Sequence, residues 1–176
     1  MTGLPASRSA KTVWAGKYLT VRLDGTWEYA ERQGGIGAAV IVAIDDEGRL
    51  LLVEQYRIPI GRRTLELPAG LVGDETAGES IAVAAGRELE EETGYRPASV
   101  EDLSLFYSSP GMTSESFNIV RATGLTRVSD GGGEGDEDIT VHLVPLAEVP
   151  AYVRAMRDAG LGIDAKMLLV LDYATM

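Results

Sequence analysis

The chain has no cysteine, which excludes a disulfide framework, a thiolate metal site and a cysteine nucleophile. It also lacks a long apolar run. The longest, about eight residues around Ala38–Ile44, is too short for a membrane span. The opening MTGLPASRSAKT is polar and has none of the apolar core of a signal peptide, so the expected compartment is the cytoplasm. Basic residues are scarce: 16 Lys and Arg stand against 27 Asp and Glu, a formal net charge of −11. That balance argues against sequence-independent nucleic-acid binding, which needs a basic face. Neither an internal repeat nor a linker is visible. What remains is 176 residues with 45% hydrophobic content, the size of one ordinary domain with enough apolar material for a core.

Local patterns divide this chain into short elements. Leu19, Val21 and Leu23 alternate with polar neighbours, a strand period, and Asp24-Gly25 is a two-residue turn into Thr26–Glu31. Gly37–Ile44 and Arg49–Tyr56 read as paired strands around the turn Asp45–Gly48. Leu65–Leu67 is a short strand halted by Pro68, and a glycine-spaced loop, Gly70–Gly78, follows. A helix is expected from about Ser80 to Thr93, with Gly94 at its C-terminal glycine position. Val100–Ser108, Ser116–Ala122 and Ile139–Val144 read as strands, Ser129–Asp138 as an acidic glycine-rich loop, and Ala147–Asp158 and Asp164–Tyr173 as closing helices. Strands in this proportion to helices predict a mixed α/β or α+β domain. The N-terminal ribbon, residues 1–34, forms one unit and residues 35–176 the main domain.

The chemistry concentrates in Gly73–Tyr95. At 100° per residue, Glu88 and Glu92 fall about 40° apart and Glu91 about 60° from Glu88, whereas Glu90 points away. Ile81, Ala84 and Ala85 share the stripe of Glu88 and Glu92, so these carboxylates are expected to look inward to a cleft. Arg87 precedes Glu91 by four residues and can pair with it. Carboxylates on one face repel, and the C-terminal end of a helix disfavours anions. A hard divalent cation, Mg²⁺ or Mn²⁺, resolves both conflicts. The alternative, a solvated acidic helix end, suits Glu90.

The same segment resembles the box of the Nudix hydrolase family: Gly, five residues, Glu, seven residues, Arg-Glu, an apolar residue, any residue, Glu-Glu, any residue, Gly and an apolar residue. It reads here Gly73, Glu79, Arg87-Glu88-Leu89, Glu91-Glu92, Gly94 and Tyr95, with only the last, a tyrosine, departing from the aliphatic norm. A chance match is on the order of 10⁻⁸ per start site at ordinary residue frequencies. The resemblance implies an α/β/α sandwich with a mixed sheet and divalent-metal cleavage of a nucleoside diphosphate linked to another group. Glu54–Arg57, Leu65–Gly70, Ser109-Pro110-Gly111 and Gly135–Ile139 are similar to segments of the ADP-ribose and sugar-nucleotide branch. A proline sixteen residues after Gly94 suits that branch; dinucleoside polyphosphate hydrolases typically carry a tyrosine nearby.

Residue by residue, the resemblance implies these roles. The Ala69 carbonyl, Glu88 and Glu92 would hold metal, and Glu91 would be a ligand or orient one. Glu79 and Arg87 would brace the box. Glu137 would close over the metals as general base or further ligand, with Glu134 the competing base; a solvated connection is the alternative for this loop. Trp27 would stack on adenine, or else pack in the core, and Arg32 would reach the base or a phosphate. Arg57 would take a phosphate bidentately, with a surface salt bridge as its alternative. Glu66 would contact substrate or a metal-bound water. Pro110 and Gly111 belong with the substrate residues, and Glu115 would meet the terminal ribose or be an exposed loop acid. His142, the sole histidine, reads as structural.

Two or three Mg²⁺ ions would reverse the local sign for a pyrophosphate substrate, and a glutamate would accept the proton of the attacking water. The expected reaction is hydrolysis of ADP-ribose to AMP and ribose 5-phosphate. Other readings are hydrolysis of GDP-mannose or ADP-glucose, a non-catalytic ligand-sensing module, and a calcium loop at Asp130–Asp138, which lacks the regular ligand spacing. The resemblance also implies a homodimer that exchanges the N-terminal ribbon. The net charge has an address: residues 74–92 carry a net −6 and residues 130–138 a net −5, and the remainder balances.

Overall fold

The computed structural model describes residues 10–73, 78–133, 135 and 137–170. Three antiparallel strands, β1 (Lys11–Ala15), β2 (Leu19–Asp24) and β3 (Trp27–Arg32), form the N-terminal ribbon. The sequence pattern showed β2 and β3 but not β1. The turn between them is Gly25-Thr26, one residue later than expected, because Asp24 pairs with Trp27 and leaves Gly25 at φ 60°. That left-handed φ is what a primed hairpin turn requires at its first central residue.

The main domain holds two four-stranded sheets. One runs in the order β7 (Ala69–Val72), β4 (Gly37–Ala43), β10 (Ser116–Thr123), β9 (Ser99–Tyr107), with β4 and β10 parallel and the outer pairs antiparallel. The other runs β12 (Thr140–Pro145), β5 (Arg49–Arg57), β6 (Arg62–Glu66), β13 (Gly162–Ile163). Two-residue strands β8 (Tyr95–Arg96) and β11 (Thr126–Arg127) pair separately. The expected loop Gly70–Gly78 thus begins as a strand, since β7 pairs with β4 in the register Ala39–Gly70. Residues 74–77 lie outside the described residues.

The unbroken apolar runs follow from burial on both faces. In β4, Val40 and Val42 join the core between the sheets, while Ala39, Ile41 and Ala43 face the helix side. In β5, Leu50 and Leu52 take the first side and Leu51 the second. Helix α1 (Ile81–Thr93) closes the second side with Ala85 and Leu89. Its Ser80 side chain accepts from the Val83 N–H, and Gly94 ends it at φ 77°. An N-cap of this kind is worth about 1 kcal/mol. Helix α2 (Val149–Asp158) covers the other side through Val149 and Tyr152. The architecture is therefore the expected α+β sandwich, its mixed sheet divided into two.

One closing helix differs. Asp164–Tyr173 was expected as a helix; its described part opens as a five-residue 3₁₀ turn, Ala165–Leu169, and Val170 is α-helical. Asp164 caps it by accepting from the Lys166 N–H (2.8 Å). Met167 and Val170 are buried and Leu168 is exposed, a three-residue spacing that suits the 3₁₀ geometry. Residues 171–176 lie outside the described residues. No helix among the described residues is long and apolar enough to cross a membrane.

Candidate active site

Helix α1 and strand β7 supply the acidic wall of a cavity of about 400 Å³. Ala84 and Ala85 dock the helix, which turns Glu88 and Glu92 toward β7. Glu92 is only 5% exposed and accepts from the Ala69 N–H (3.1 Å). Glu88 lies flat against Gly70: a Cβ there would sit 1.9 Å from the Glu88 carboxyl carbon. Any side chain at position 70 would therefore displace this carboxylate.

Glu137, from the late loop, reaches the same cavity. Burial pushes the Glu92 carboxyl up to about 8, and the nearby charges of Glu88 and Glu137 add to that rise. The Ala69 N–H and Arg57 oppose it without prevailing. In the absence of a cation, Glu92 is thus mostly protonated at neutral pH.

The box arginine sits on another face. Arg87 donates to Glu91 (3.0 Å) and pairs with Glu88 (3.1 Å) and Glu79 (3.7 Å). It ties three box carboxylates together beside the cavity, and neither Arg87 nor Glu91 lines it. Glu90 points away, as expected, and pairs with Arg96 (2.7 Å).

Cationic groups line the same cavity. Arg57 gives Nε and Nη2 to the two oxygens of Glu66 (2.7 and 2.6 Å). The bidentate partner expected to be a phosphate is thus a carboxylate of the protein. The salt bridge given as the alternative for Arg57 is thus present, with the Glu66 side chain 4% and the Arg57 side chain 44% exposed. The Glu66 hydrogen bond raises the Arg57 guanidinium further above its ordinary value. Arg32 donates to Glu115 (3.1 Å), and the Ser108 hydroxyl donates to the same carboxylate (2.9 Å). Burial alone would raise Glu115, but those two contacts outweigh it and the carboxyl is lowered. The ribbon reaches this cavity because the Ala30 N–H donates to the Met112 carbonyl and the Ser114 N–H to the Ala30 carbonyl.

Lys166 also lines the cavity, and the sequence reading missed it. It pairs with Asp164 and lies 5.8 Å from the Phe117 ring centre. No motif marks it; its local signal is the Asp164 cap two residues earlier.

Trp27, Pro110 and Gly111 are not in this cavity. They line a separate groove with Tyr29 and Tyr107. Trp27 is 62% exposed, so core packing, its structural alternative, does not apply. His142 lies between Glu54 (3.1 Å) and the Tyr152 hydroxyl (2.9 Å), away from the acidic wall. Glu134 lies outside the described residues.

Among the described residues, no three acidic or imidazole groups converge into a closed metal cage. Arg87 occupies part of Glu88, and a backbone N–H occupies part of Glu92. The donor set nevertheless fits a hard divalent cation. It is all oxygen, and it includes a buried carboxylate whose ionised form lacks enough positive charge nearby. Carboxylates and guanidinium groups lining one cavity suit a polyanionic ligand held with a cation.

The comparisons with known proteins agree. Residues 35–162 match the NUDIX domain. The chain is 42% identical over 155 residues to the ADP-ribose pyrophosphatase of Mycobacterium tuberculosis, covering 82% of this chain and 72% of that protein. It is 37% identical over 139 residues to the methanol dehydrogenase activator of Bacillus methanolicus, covering 78% and 71%. The crystal structure of an ADP compounds hydrolase superposes with a TM-score of 0.67 at 27% identity, covering 82% of this chain and 80% of that one. The chain belongs to the NUDIX family.

Proposed function

We propose that this NUDIX hydrolase cleaves the pyrophosphate bridge of ADP-ribose, giving AMP and ribose 5-phosphate. The observation that carries this reading is the cavity that brings Glu88, Glu92 and Glu137 together with Arg57, Arg32 and Lys166. The 42% identity to an ADP-ribose pyrophosphatase supports the choice of substrate.

Glu88 and Glu92, with the Ala69 carbonyl, would hold Mg²⁺ or Mn²⁺, two or three ions per site. Bound there, the cations supply charge neutralisation for the diphosphate and acidify the attacking water. Glu91 orients this group through Arg87, which it already meets. Glu137 accepts the water proton as the water oxygen bonds to one phosphorus; the bridging oxygen departs with the other phosphate. Glu66 fixes the plane of Arg57 and leaves Nη1 for a phosphate oxygen. Arg32 and Glu115 hold the sugar side, and Trp27 with the Pro110–Gly111 turn offers a stacking surface for the base.

Trp27 lies outside its own chain's cavity, so the dimer in this reading brings it to the partner's site through the exposed ribbon, where Val13, Trp14 and Tyr18 are all more than half exposed. The enzyme acts in the cytoplasm. A panel of ADP-ribose, GDP-mannose, NADH and diadenosine polyphosphates with Mg²⁺ tests the assignment. The highest kcat/KM is expected for ADP-ribose, and a higher value for GDP-mannose would replace it.

A further inference from the structure

We propose that Arg63, on β6, is a positioning residue that fixes Glu137 by holding the neighbouring Asp138. The inference rests on the reading of Glu137 as the group that accepts the water proton.

The late loop is anchored at two points, one on each side of Glu137. Upstream, its glycines sit on the end of α1. The Gly132 N–H donates to the Glu92 carbonyl (2.9 Å) and the Gly133 N–H to the Glu91 carbonyl (3.1 Å). These carbonyls belong to the last helical turn and have no partner within the helix. Close approach is possible because Gly131 has no side chain: a Cβ there would lie 2.4 Å from the Thr93 carbonyl carbon. The loop is thereby registered to the same helix turn that carries Glu88 and Glu92.

Downstream, Arg63 holds the exit. Its Nη1 donates to the Asp138 carboxylate (2.8 Å), and Nη2 donates to the Asp138 carbonyl (3.3 Å) and the Thr140 hydroxyl (3.2 Å). Nε bonds the Glu54 carboxylate, and Nη2 also reaches the Glu54 carbonyl (3.0 Å). Glu54 is held in turn by His142, which meets Tyr152. The arginine thus spans β6, β5 and the entry to β12 through a network packed on the core.

A single exposed ion pair would contribute little, and the Asp138 side chain is 85% exposed. Arg63 differs because it also grips the backbone carbonyl and the hydroxyl two residues on. With two carboxylates already on it, its charge is spent within the protein, which separates it from the cavity-lining Arg32 and Arg57. Releasing the exit would let Glu137 sample positions an ångström or more away, and displacement on that scale costs up to about 100-fold in rate.

The test combines kinetics with amide hydrogen exchange on the full chain. Arg63→Ala should lower kcat with ADP-ribose about 10- to 100-fold while KM moves little, and Arg63→Lys should restore part of it. Asp138→Ala, at an exposed side chain, should show a weaker form of the same pattern even if Arg63→Ala folds poorly. Exchange at the Ile139 amide, which donates to the Gly132 carbonyl (3.2 Å), should accelerate in Arg63→Ala without any substrate or metal. In Arg63→Ala combined with Glu137→Gln, the loss should be no larger than in Glu137→Gln alone. Unchanged kcat and unchanged exchange, a change in KM alone, or multiplying losses in the double variant would each overturn the proposal. Full activity in Glu137→Gln would instead overturn the underlying reading of Glu137, and the Arg63 assignment with it.

Discussion

Two segments carry the acidity of this protein, and the structure treats them differently. The carboxylates of α1 are drawn into the fold: Glu92 is buried, Glu88 lies on Gly70, and Arg87 gathers Glu79, Glu88 and Glu91. The described acids of the late loop stay open to water: Glu137 is exposed even as it lines the cavity, Asp138 is exposed, and the Asp130 side chain is 98% exposed. Similar net charge, −6 on one segment and −5 on the other, thus corresponds to unequal electrostatics. On the helix, burial sets the energies, and a cation relieves them. On the loop, water already screens the charges, and what needs supplying is position.

The largest effect that separates the two segments is metal removal. Chelation with EDTA should lower ADP-ribose hydrolysis by about 1,000-fold or more, and added Mg²⁺ or Mn²⁺ should restore it. Activity that survives chelation would remove the reason for the buried acids.

Stability against pH should follow the helix and not the loop. Glu92 has a folded value raised to about 8 from the ordinary carboxyl range. Its contribution to stability is therefore complete below the unfolded value and is lost as pH rises through the folded one. Metal-free protein should melt at progressively lower temperature between about pH 5 and 8. With Mg²⁺ bound to the ionised form, that fall should shrink, and an identical slope with and without metal would count against the site.

A smaller loss is expected from Arg87→Ala, which leaves Glu79, Glu88 and Glu91 facing one another. It should cost about 2–3 kcal/mol, measured by urea unfolding, since breaking a largely buried ion pair strands its partners. Smallest of all, Asp130→Asn should change stability by less than about 0.5 kcal/mol and leave kcat intact, because its partner among the described residues, Arg127, is itself exposed.

What could be read from the chain follows the range of the interactions. Ser80 and Gly94 mark the ends of α1 because caps are local, and the spacing of Glu88, Glu91 and Glu92 gives their faces because a helix has a fixed period. The two-sided burial of β4 shows as an unbroken apolar run. The Arg57–Glu66 pair and the place of Lys166 left no such trace. They arise from strands and turns folded against each other, as does the contact of Arg63 with Asp138, 75 residues away in sequence. The 3₁₀ opening of the closing segment left no mark because Met167 to Val170 is apolar enough for either helix type, and the Asp164 cap does not choose between them. Trp27 was legible as an aromatic on a strand, but its groove depends on how β3 meets the Met112–Ser114 segment.

Turnover of ADP-ribose by Glu92→Gln in saturating Mg²⁺, with the unfolding midpoint measured on the same sample, tests the central claim most directly. The substitution replaces the buried carboxyl by an uncharged isostere that can still accept from the Ala69 N–H, and it should fold as well as the parent. The account predicts a loss of about 100- to 1,000-fold in AMP and ribose 5-phosphate production with no loss of stability. Parental activity with an unchanged requirement for Mg²⁺ would contradict it.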